Sequence, residues 1–218
     1  MIGIIIAMQE ELAPYIENNQ YDKKEILGKT FYLLKISNQD CVIVHSGIGK
    51  VNAGFAATIL IREFNPDFII STGISGGLGV SHVLDLVAST SCVQYDVDTT
   101  PLGDELGFVS TVNKKYFEAD ANLQSKFKQI KDIKLGVFAC GDKFVSSREE
   151  STFIQETFNA IACDMESGAI AQIAYIAKTP YIAIRCISDG ADDDANISFE
   201  QMKSIASKKL HKAIVSVL

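Results

Sequence analysis

The sequence predicts an α/β fold in which helices pack against a central sheet, and two observations support this prediction. Apolar runs of strand length alternate along the chain with stretches that carry an apolar stripe at helical spacing. Residues 181–187 form an apolar, β-branched run broken only by Arg185, which is typical of a strand buried on both faces. The 218 residues contain no internal repeat, low-complexity tract or linker, so we expect one domain over residues 1–218.

The first half of the chain predicts a sheet that begins at the N-terminus. Residues 31–35 and 41–45 are predicted to form a hairpin that turns at Ser37-Asn38. A helix over 49–64 is indicated by an apolar stripe, which consists of Val51, Phe55, Ile59 and Leu60. The other predicted elements are a strand over 1–7, a helix over 8–18, a strand over 67–72 that enters a glycine-rich turn, and a strand over 86–95.

The second half predicts more helix than strand, after a polar excursion over residues 96–109. Ser198 and Gln201 have the spacing of a capping box, which predicts that a final helix begins there and ends near Leu218. Further helices are predicted over 117–130, 147–159 and 165–178, and strands over 135–140, 160–163 and 181–187.

Composition and charge limit which binding partners and which cellular compartment we expect for this protein. The formal net charge of −7 provides no basic surface, so we expect neither nucleic acid nor a membrane as partner, and a small molecule fits better. No export signal and no apolar run of membrane-spanning length is present. The five cysteines are scattered without CxxC spacing and the three histidines are far apart, so we expect a cytoplasmic protein with buried thiols and no metal.

Two glycine clusters follow predicted strands, at residues 72–79 and 46–51. The first fits neither the GxGxxG nor the GxxxxGK[ST] pattern, and the second has valines where the phosphate-binding loop needs Gly and Ser or Thr. These patterns therefore predict no dinucleotide cofactor. The clusters are either tight turns at strand ends or places where a ligand approaches the backbone closely.

Three carboxylates each come just after a predicted strand: Glu11, Glu166 and Asp189. Each has an ordinary explanation, since a Glu in the first turn of a helix offsets the helix dipole and a loop Asp is usually solvated. If the sheet is largely parallel at this point, however, the three side chains converge on one rim. Convergent carboxylates are what general acid–base catalysis requires.

Around these carboxylates, the sequence resembles the 5′-methylthioadenosine/S-adenosylhomocysteine nucleosidases of the nucleoside phosphorylase fold superfamily. The matching segments follow the order of the family from residue 1 to about residue 205. They are 3–8 with Glu11, 46–51, Thr72-Gly73 with Gly76-Gly77, 141–145, 164–166 with 169–171, and Arg185 with 187–189. The resemblance implies a three-layer α/β/α domain with a central mixed sheet. It also implies hydrolysis of an N-glycosidic bond that releases adenine and a 5-thioribose without a cofactor.

The resemblance also implies roles for individual residues. Asp189 would protonate adenine N7, Glu11 would orient and deprotonate the attacking water with Arg185 nearby, and Glu166 would hold the ribose hydroxyls. The other substrate-binding residues that it implies are Met165 on the sugar, Phe144 and Val145 on the base, Met8 and Ile48 at the alkylthio end, and Gly76 and Ser188. These roles suit the chemistry, because an oxocarbenium-like transition state is stabilised by carboxylates and an acid at N7 needs a raised pKa.

The sequence departs from the family pattern at three positions. Ile74 stands where the family commonly has a serine near the water, Asp104 where an aromatic residue often closes the alkylthio pocket, and Asp164 where a glutamate is usual. These departures bear on substrate preference and rate more than on the class of reaction. The resemblance further implies a homodimer, in which residues 99–102 reach the alkylthio pocket of the neighbouring subunit.

Three alternatives stay open at the level of sequence. A phosphorylase of the same fold would need a cationic phosphate site, and the chain has only three arginines: Arg62, Arg148 and Arg185. The enzyme could also hydrolyse a related adenine nucleoside such as aminodeoxyfutalosine. A nucleoside-binding or storage protein on the same scaffold is the alternative without catalysis, and the presence of all three carboxylates weighs against it.

Overall fold

The structure, a computed structural model, describes residues 1–17 and 19–218 and has a mixed sheet between two layers of helices. Within that part of the chain the strands are β1 Ile2–Ile6, β2 Tyr21–Ile26, β3 Lys29–Ile36, β4 Gln39–His45, β5 Phe68–Gly77, β6 Leu86–Gln94, β7 Phe117–Glu118, β8 Lys134–Cys140, β9 Ala160–Asp164 and β10 Tyr181–Asp189. The α-helices are α1 Gln9–Ile16, α2 Lys50–Phe64, α3 Ala121–Phe127, α4 Arg148–Phe158, α5 Ser167–Ala177 and α6 Ala195–Val215. The predicted helix over 8–18 thus ends at Ile16, and Asn18 lies outside the described residues.

Parallel strands bring the ends of β1, β5 and β10 to one edge of the sheet. Strand β1 lies between β4 and β5 and is parallel to both, and β10 runs parallel to β5 on the far side. Strand β9 pairs with β5 antiparallel at Gly76 and Gly77, which carries the β9–α5 junction to the same place. Ligands of open α/β sheets bind beyond the carboxyl ends of such strands.

The helices cover both faces of the sheet, which confirms the predicted three-layer α/β/α arrangement. Helices α1, α3 and α6 bury their apolar sides on one face, through residues such as Leu12, Phe127 and Leu210. Helices α2 and α5 cover the other face, where alanines such as Ala57 and Ala171 allow a close approach. Among the described residues, no helix combines the length and the apolar character that crossing a membrane would require.

The prediction of a glycine-rich turn directly after residue 72 was wrong, because β5 runs through this segment. The strand continues to Gly77, because its glycines are packed against side chains rather than placed at a bend. A Cβ on Gly76 would lie 2.9 Å from Cys163 Sγ, and a Cβ on Gly77 would lie 2.9 Å from Ile187 Cγ2. The cluster is therefore a buried strand with no room for side chains at these positions.

Several helix predictions were wrong in detail. Residues 117–130 do not form one helix, because Phe117 and Glu118 pair with β6 and Asp120 then caps α3 by accepting from two backbone N–H groups. The final helix begins at Ala195, so Ser198 lies inside it and does not open it. Strand β2 was missed because its polar, exposed sequence carries no apolar alternation.

The apolar stripe predicted for α2 is only half correct. Ile59 and Leu60 are buried, whereas Val51 is 82% exposed and Phe55 is 43% exposed. The face that packs inside consists of Ala53, Ala56, Ala57, Ile59 and Leu60. The packed face thus combines small alanines with Ile59 and Leu60, whereas the side chains of Val51 and Phe55 are exposed.

Candidate active site

A pocket lies at the edge of the sheet where β1, β5 and β10 end. Ten of the eleven predicted site residues line this pocket, which are Met8, Glu11, Ile48, Gly76, Phe144, Val145, Met165, Glu166, Ser188 and Asp189. The eleventh, Arg185, lies beneath it, beside a small cavity that Glu11 and Glu166 also line. The structure thus brings the three predicted carboxylates together around one space.

Glu11 is a buried carboxylate held by the main chain. Its Oε2 accepts a hydrogen bond of 2.9 Å from the Met8 N–H, and its Oε1 accepts one of 2.8 Å from the Ile74 N–H. A Cβ on Gly73 would collide with this carboxylate, so glycine is needed there. Burial raises the pKa of Glu11, against the lowering effects of the Ile74 N–H and of Arg185. Such a group is fixed in position and has an increased affinity for a proton.

Asp189 ends β10 inside the protein, only 2% exposed, so the alternative of a solvated loop is wrong. The Ser188 hydroxyl donates to its Oδ2 at 2.7 Å, and the Ala191 N–H donates to its Oδ1 at 2.9 Å. Burial raises the pKa of Asp189, although both hydrogen bonds oppose the shift. A buried carboxyl of this kind holds its proton at a higher pH than a surface aspartate does.

Glu166 stands at the N-cap position of α5, one residue before the first turn in which it was predicted. Its Oε1 accepts a hydrogen bond of 3.0 Å from the Gly49 N–H, and Gly49 has a φ of +96° that favours glycine. Burial, and then the negative charge of Asp164, raise the pKa of Glu166 to about 8. The second glycine cluster therefore serves to hold a carboxylate at the rim of the pocket.

Arg185 and Asp164 form an ion pair at the base of the pocket, which Asp164 also lines, with Nη2 and Oδ2 2.8 Å apart and both side chains buried. Arg185 also donates to the Ser71 carbonyl at 2.8 Å and to its hydroxyl at 3.0 Å. The other oxygen of Asp164 accepts from the Ser167 hydroxyl at 2.8 Å and from its N–H at 2.9 Å. Asp164, which stands where the resemblance implies a glutamate, thus joins Arg185 to the start of α5.

The apolar part of the pocket contains residues that the sequence did not single out. Phe199 of α6 packs against Phe144, with ring centroids 5.6 Å apart and the rings nearly perpendicular. Ser75 and Cys163 also line the pocket, and the buried Ser75 hydroxyl makes no hydrogen bond to the described residues. Nothing in the local pattern around Phe199 marks it, because it comes to the site through the packing of α6.

The three departures from the family pattern have different positions in the structure. The Ile74 side chain lines the pocket while its N–H holds Glu11. Asp104 accepts a hydrogen bond of 2.7 Å from the Thr99 hydroxyl, in the polar excursion after β6.

In the part of the chain that the structure describes, no cluster of three His, Cys, Asp or Glu side chains has the arrangement of a metal site.

Comparison with known proteins gives the family. The family profile described as Phosphorylase superfamily matches residues 1–218. The 5′-methylthioadenosine/S-adenosylhomocysteine nucleosidase of Geobacillus sp. (strain WCH70) is 36% identical over 228 residues, which cover 100% of this chain and 97% of the relative. The chain belongs to this nucleosidase family of the phosphorylase superfamily.

Other members of the superfamily show its range. The aminodeoxyfutalosine nucleosidase of Campylobacter jejuni is 34% identical over 207 residues, covering 92% of this chain and 90% of the relative. Among solved structures, the 5′-methylthioadenosine/S-adenosylhomocysteine nucleosidase from Neisseria meningitidis, in complex with methylthio-immucillin-A, superposes with a TM-score of 0.95. The two sequences are 32% identical, and the superposition covers 99% of this chain and 97% of the Neisseria meningitidis chain.

Proposed function

We propose that this protein hydrolyses the N-glycosidic bond of 5′-methylthioadenosine and S-adenosylhomocysteine, releasing adenine and the 5-thioribose. The observation that carries the proposal is the meeting of Glu11, Glu166 and Asp189 around one pocket, all three buried and all with raised pKa values. Relatives that are 36% identical over the whole chain carry the name of this activity.

Asp189 is proposed to be the general acid. Its proton passes to N7 of the base while the bond between C1′ and N9 breaks, so that adenine leaves as a neutral molecule. Burial raises the pKa of Asp189, which favours the protonated carboxyl that this step needs, and the hydrogen bonds from Ser188 and Ala191 fix its direction. An aspartate with an ordinary pKa would be ionised at neutral pH and would have no proton to give.

Glu11 is proposed to be the general base. The cavity that it shares with Arg185 and Thr72 has a volume of about 10 Å³, roughly the space that one water molecule needs. A water held there would transfer a proton to Glu11 as its oxygen attacks C1′. The two main-chain hydrogen bonds to Glu11 hold the base at a fixed place for this step.

The remaining lining residues are proposed to bind the nucleoside. Glu166 accepts hydrogen bonds from the ribose hydroxyls, and Met165 packs on the sugar. Phe144 and Phe199 form an aromatic wall for adenine, whose edge the Val145 backbone contacts. Met8 and Ile48 line the alkylthio end, with Gly76 and Ser188 completing the floor around Asp189.

The distribution of cations favours water over phosphate as the acceptor. A desolvated phosphate dianion needs paired cations. Arg185 is already engaged by Asp164 and Ser71, and the Arg148 side chain is 77% exposed. Lys143 lines the pocket but pairs with Glu150, 2.7 Å away.

Aminodeoxyfutalosine is a second candidate substrate, because a relative of that name is 34% identical over most of the chain. It shares the adenine and ribose that the three carboxylates would contact. Ile48, at the alkylthio end, is half exposed and leaves that end of the pocket open to a different substituent.

We also propose that residues 1–218 form one domain and that two copies form a homodimer in the cytoplasm. Exposed apolar side chains support the dimer, since Val51 and Phe55 of α2 and Ile176 of α5 lie on helices that pack side by side. Leu102, in a short 3₁₀ turn over Thr100–Leu102, is 84% exposed and would reach the pocket of the neighbouring subunit.

The proposal is tested by measuring free adenine from a panel of adenosine-type nucleosides, with and without phosphate. We expect adenine and the free sugar from methylthioadenosine and adenosylhomocysteine, at rates that phosphate does not change. A severalfold acceleration by phosphate, with a sugar 1-phosphate as product, would assign a phosphorylase. Tight binding of the nucleosides without any adenine would assign a binding protein.

A further inference from the structure

Glu11 borders a second small cavity, on the side away from the substrate pocket. This cavity lies between β5 and the helices α1 and α6, and it is lined by Glu11, Tyr15, Thr72, Gly73, Ser207, Leu210 and His211. Its volume is about 10 Å³, so it has roughly the room that a single water molecule needs. Among the residues that the structure describes, Glu11, Thr72 and Gly73 line both this cavity and the one that we assign to the attacking water.

Two hydroxyl groups in the lining, which act on each other, make no hydrogen bond of good geometry to the described residues. Tyr15 and Thr72 are 2% and 4% exposed, and within residues 1–17 and 19–218 neither hydroxyl makes a well-directed hydrogen bond. Burial raises the pKa of Tyr15, which the nearby Thr72 hydroxyl lowers only in part, so the phenol stays protonated. Buried polar groups are normally satisfied, and a polar cavity of this size with two to four partners is where an ordered water binds.

His211 connects this cavity to the surface. Its ring packs edge-on against the Tyr15 ring, with centroids 4.5 Å apart, and its side chain is only partly buried. Burial, and then the charge of Lys212, lower the pKa of His211, so the imidazole is neutral near pH 7 and can accept a proton. The Ser207 hydroxyl takes no part, because it donates to the Lys203 carbonyl at 2.6 Å.

We propose that the cavity behind Glu11 holds a water molecule through which Glu11 passes its proton to His211 and then to solvent. This route rests on the proposed function, in which each turnover leaves Glu11 protonated and Asp189 ionised. The O–H bond of Glu11 breaks, the cavity water takes that proton and gives one of its own to the imidazole, and His211 releases it to bulk water. Asp189 regains a proton from solvent, so the cycle neither gains nor loses protons.

Charged groups act on both ends of the route: Arg185 favours release of the proton from Glu11, and Lys212 favours its release from His211. On the substrate side, the positive charge of Arg185 favours the ionised form of Glu11. The negative charge of Glu11 in turn raises the pKa of Glu166 and of Tyr15. Cys41 of β4 also raises the pKa of Tyr15, and the charge of Lys212 lowers the pKa of His211. While products fill the pocket, the cavity behind Glu11 gives its proton a way out that avoids them.

The test compares one turnover with many, in dilute buffer, for His211→Ala and Tyr15→Phe. With enzyme in excess, adenine release should match that of the wild type, because Glu11 begins the cycle ionised. The steady-state rate should fall by about tenfold, less than the loss of a catalytic acid or base costs. Added imidazole should restore the steady-state rate of His211→Ala. Ser207→Ala, which changes the same cavity without touching the route, should behave as the wild type.

Two results would overturn the route. One is a steady-state rate of His211→Ala that stays at the wild-type value, whatever the rate of Tyr15→Phe. The other is an equal fall in single and multiple turnovers that imidazole does not reverse, since this is what a merely structural role would produce. Failure of the proposed function is seen separately, because the wild type itself would then release no adenine.

Discussion

Arg185 and Asp164 form a buried ion pair of 2.8 Å, each side chain 2% exposed, directly below the carboxylates of the pocket. The pair links β10 to the start of α5, because Asp164 also accepts two hydrogen bonds from Ser167. It places one positive charge where it lowers the pKa values of both Glu11 and Glu166. The pair therefore supports the fold, and its two members act on the protons in opposite directions: Arg185 weakens the hold of Glu11 on its proton, whereas Asp164 strengthens that of Glu166.

Removing the charge of Arg185 is expected to destabilise the protein strongly. Arg185→Met leaves Asp164 charged and unpaired in the interior, and breaking such a buried pair typically costs about 3–5 kcal/mol. Arg148→Met is the matched control, because Arg148 is exposed and lies 3.6 Å from Asp192, and an exposed pair is worth at most about 1 kcal/mol. Urea unfolding of both variants measures the difference. Equal losses would show that the buried pair does not contribute in this way.

Glu166 is expected to make the stability of the ligand-free protein depend on pH. Its pKa is raised to about 8 by burial and by Asp164, so the folded protein binds this proton more tightly than the unfolded chain does. The contribution of Glu166 is thus present at low pH and is lost as the pH rises from about 4.5 through 8, by about 1 kcal/mol or more. Glu166→Gln, which keeps an acceptor for the Gly49 N–H, should remove that part of the slope. Parallel pH profiles of unfolding for wild type and variant would contradict the assignment.

A homodimer is expected in solution. Sedimentation at micromolar concentration should give twice the mass of one chain, and Val51→Asp should lower it to that of a single chain by placing a charge on the exposed face of α2. Val80→Asp is the control, since Val80 is 64% exposed but lies outside α2 and α5. A monomeric wild type with full activity would refute the dimer, as would an unchanged mass for Val51→Asp.

The sequence alone predicted the alternation of strands and helices and ten of the residues that line the pocket. The strands and the three carboxylates could be predicted from the residues themselves, because buried strands are strongly patterned and carboxylates at strand ends are visible as local motifs. The other seven pocket residues were predicted from the resemblance to the nucleosidase family. Asp189 is the clearest example. The apolar run before it favours burial, whereas the three aspartates that follow within five residues favour a solvated loop, and the structure decides for burial.

What the sequence did not predict depends on tertiary packing. Phe199 reaches the pocket only because α6 begins at Ala195 and crosses the mouth, whereas the local capping signal placed the start at Ser198. The glycines of β5 look like a turn in sequence, and only the packing of Glu11, Cys163 and Ile187 against them explains a strand. Likewise, Tyr15 and His211 carry no joint motif, since α1 and α6 meet only in the folded chain.

The central claim is that Asp189 gives the proton that makes adenine a leaving group. Asp189→Asn keeps the shape and can still hydrogen-bond to N7, but it has no acidic proton to transfer. We expect kcat to fall by at least about a hundredfold, or roughly 2.7 kcal/mol of barrier. A substrate analogue should still bind within about tenfold of the wild-type affinity. The test measures kcat by steady-state kinetics, and the affinity for the analogue by one binding titration, on this variant. Near-normal turnover with unchanged binding would contradict the account and remove Asp189 from the mechanism.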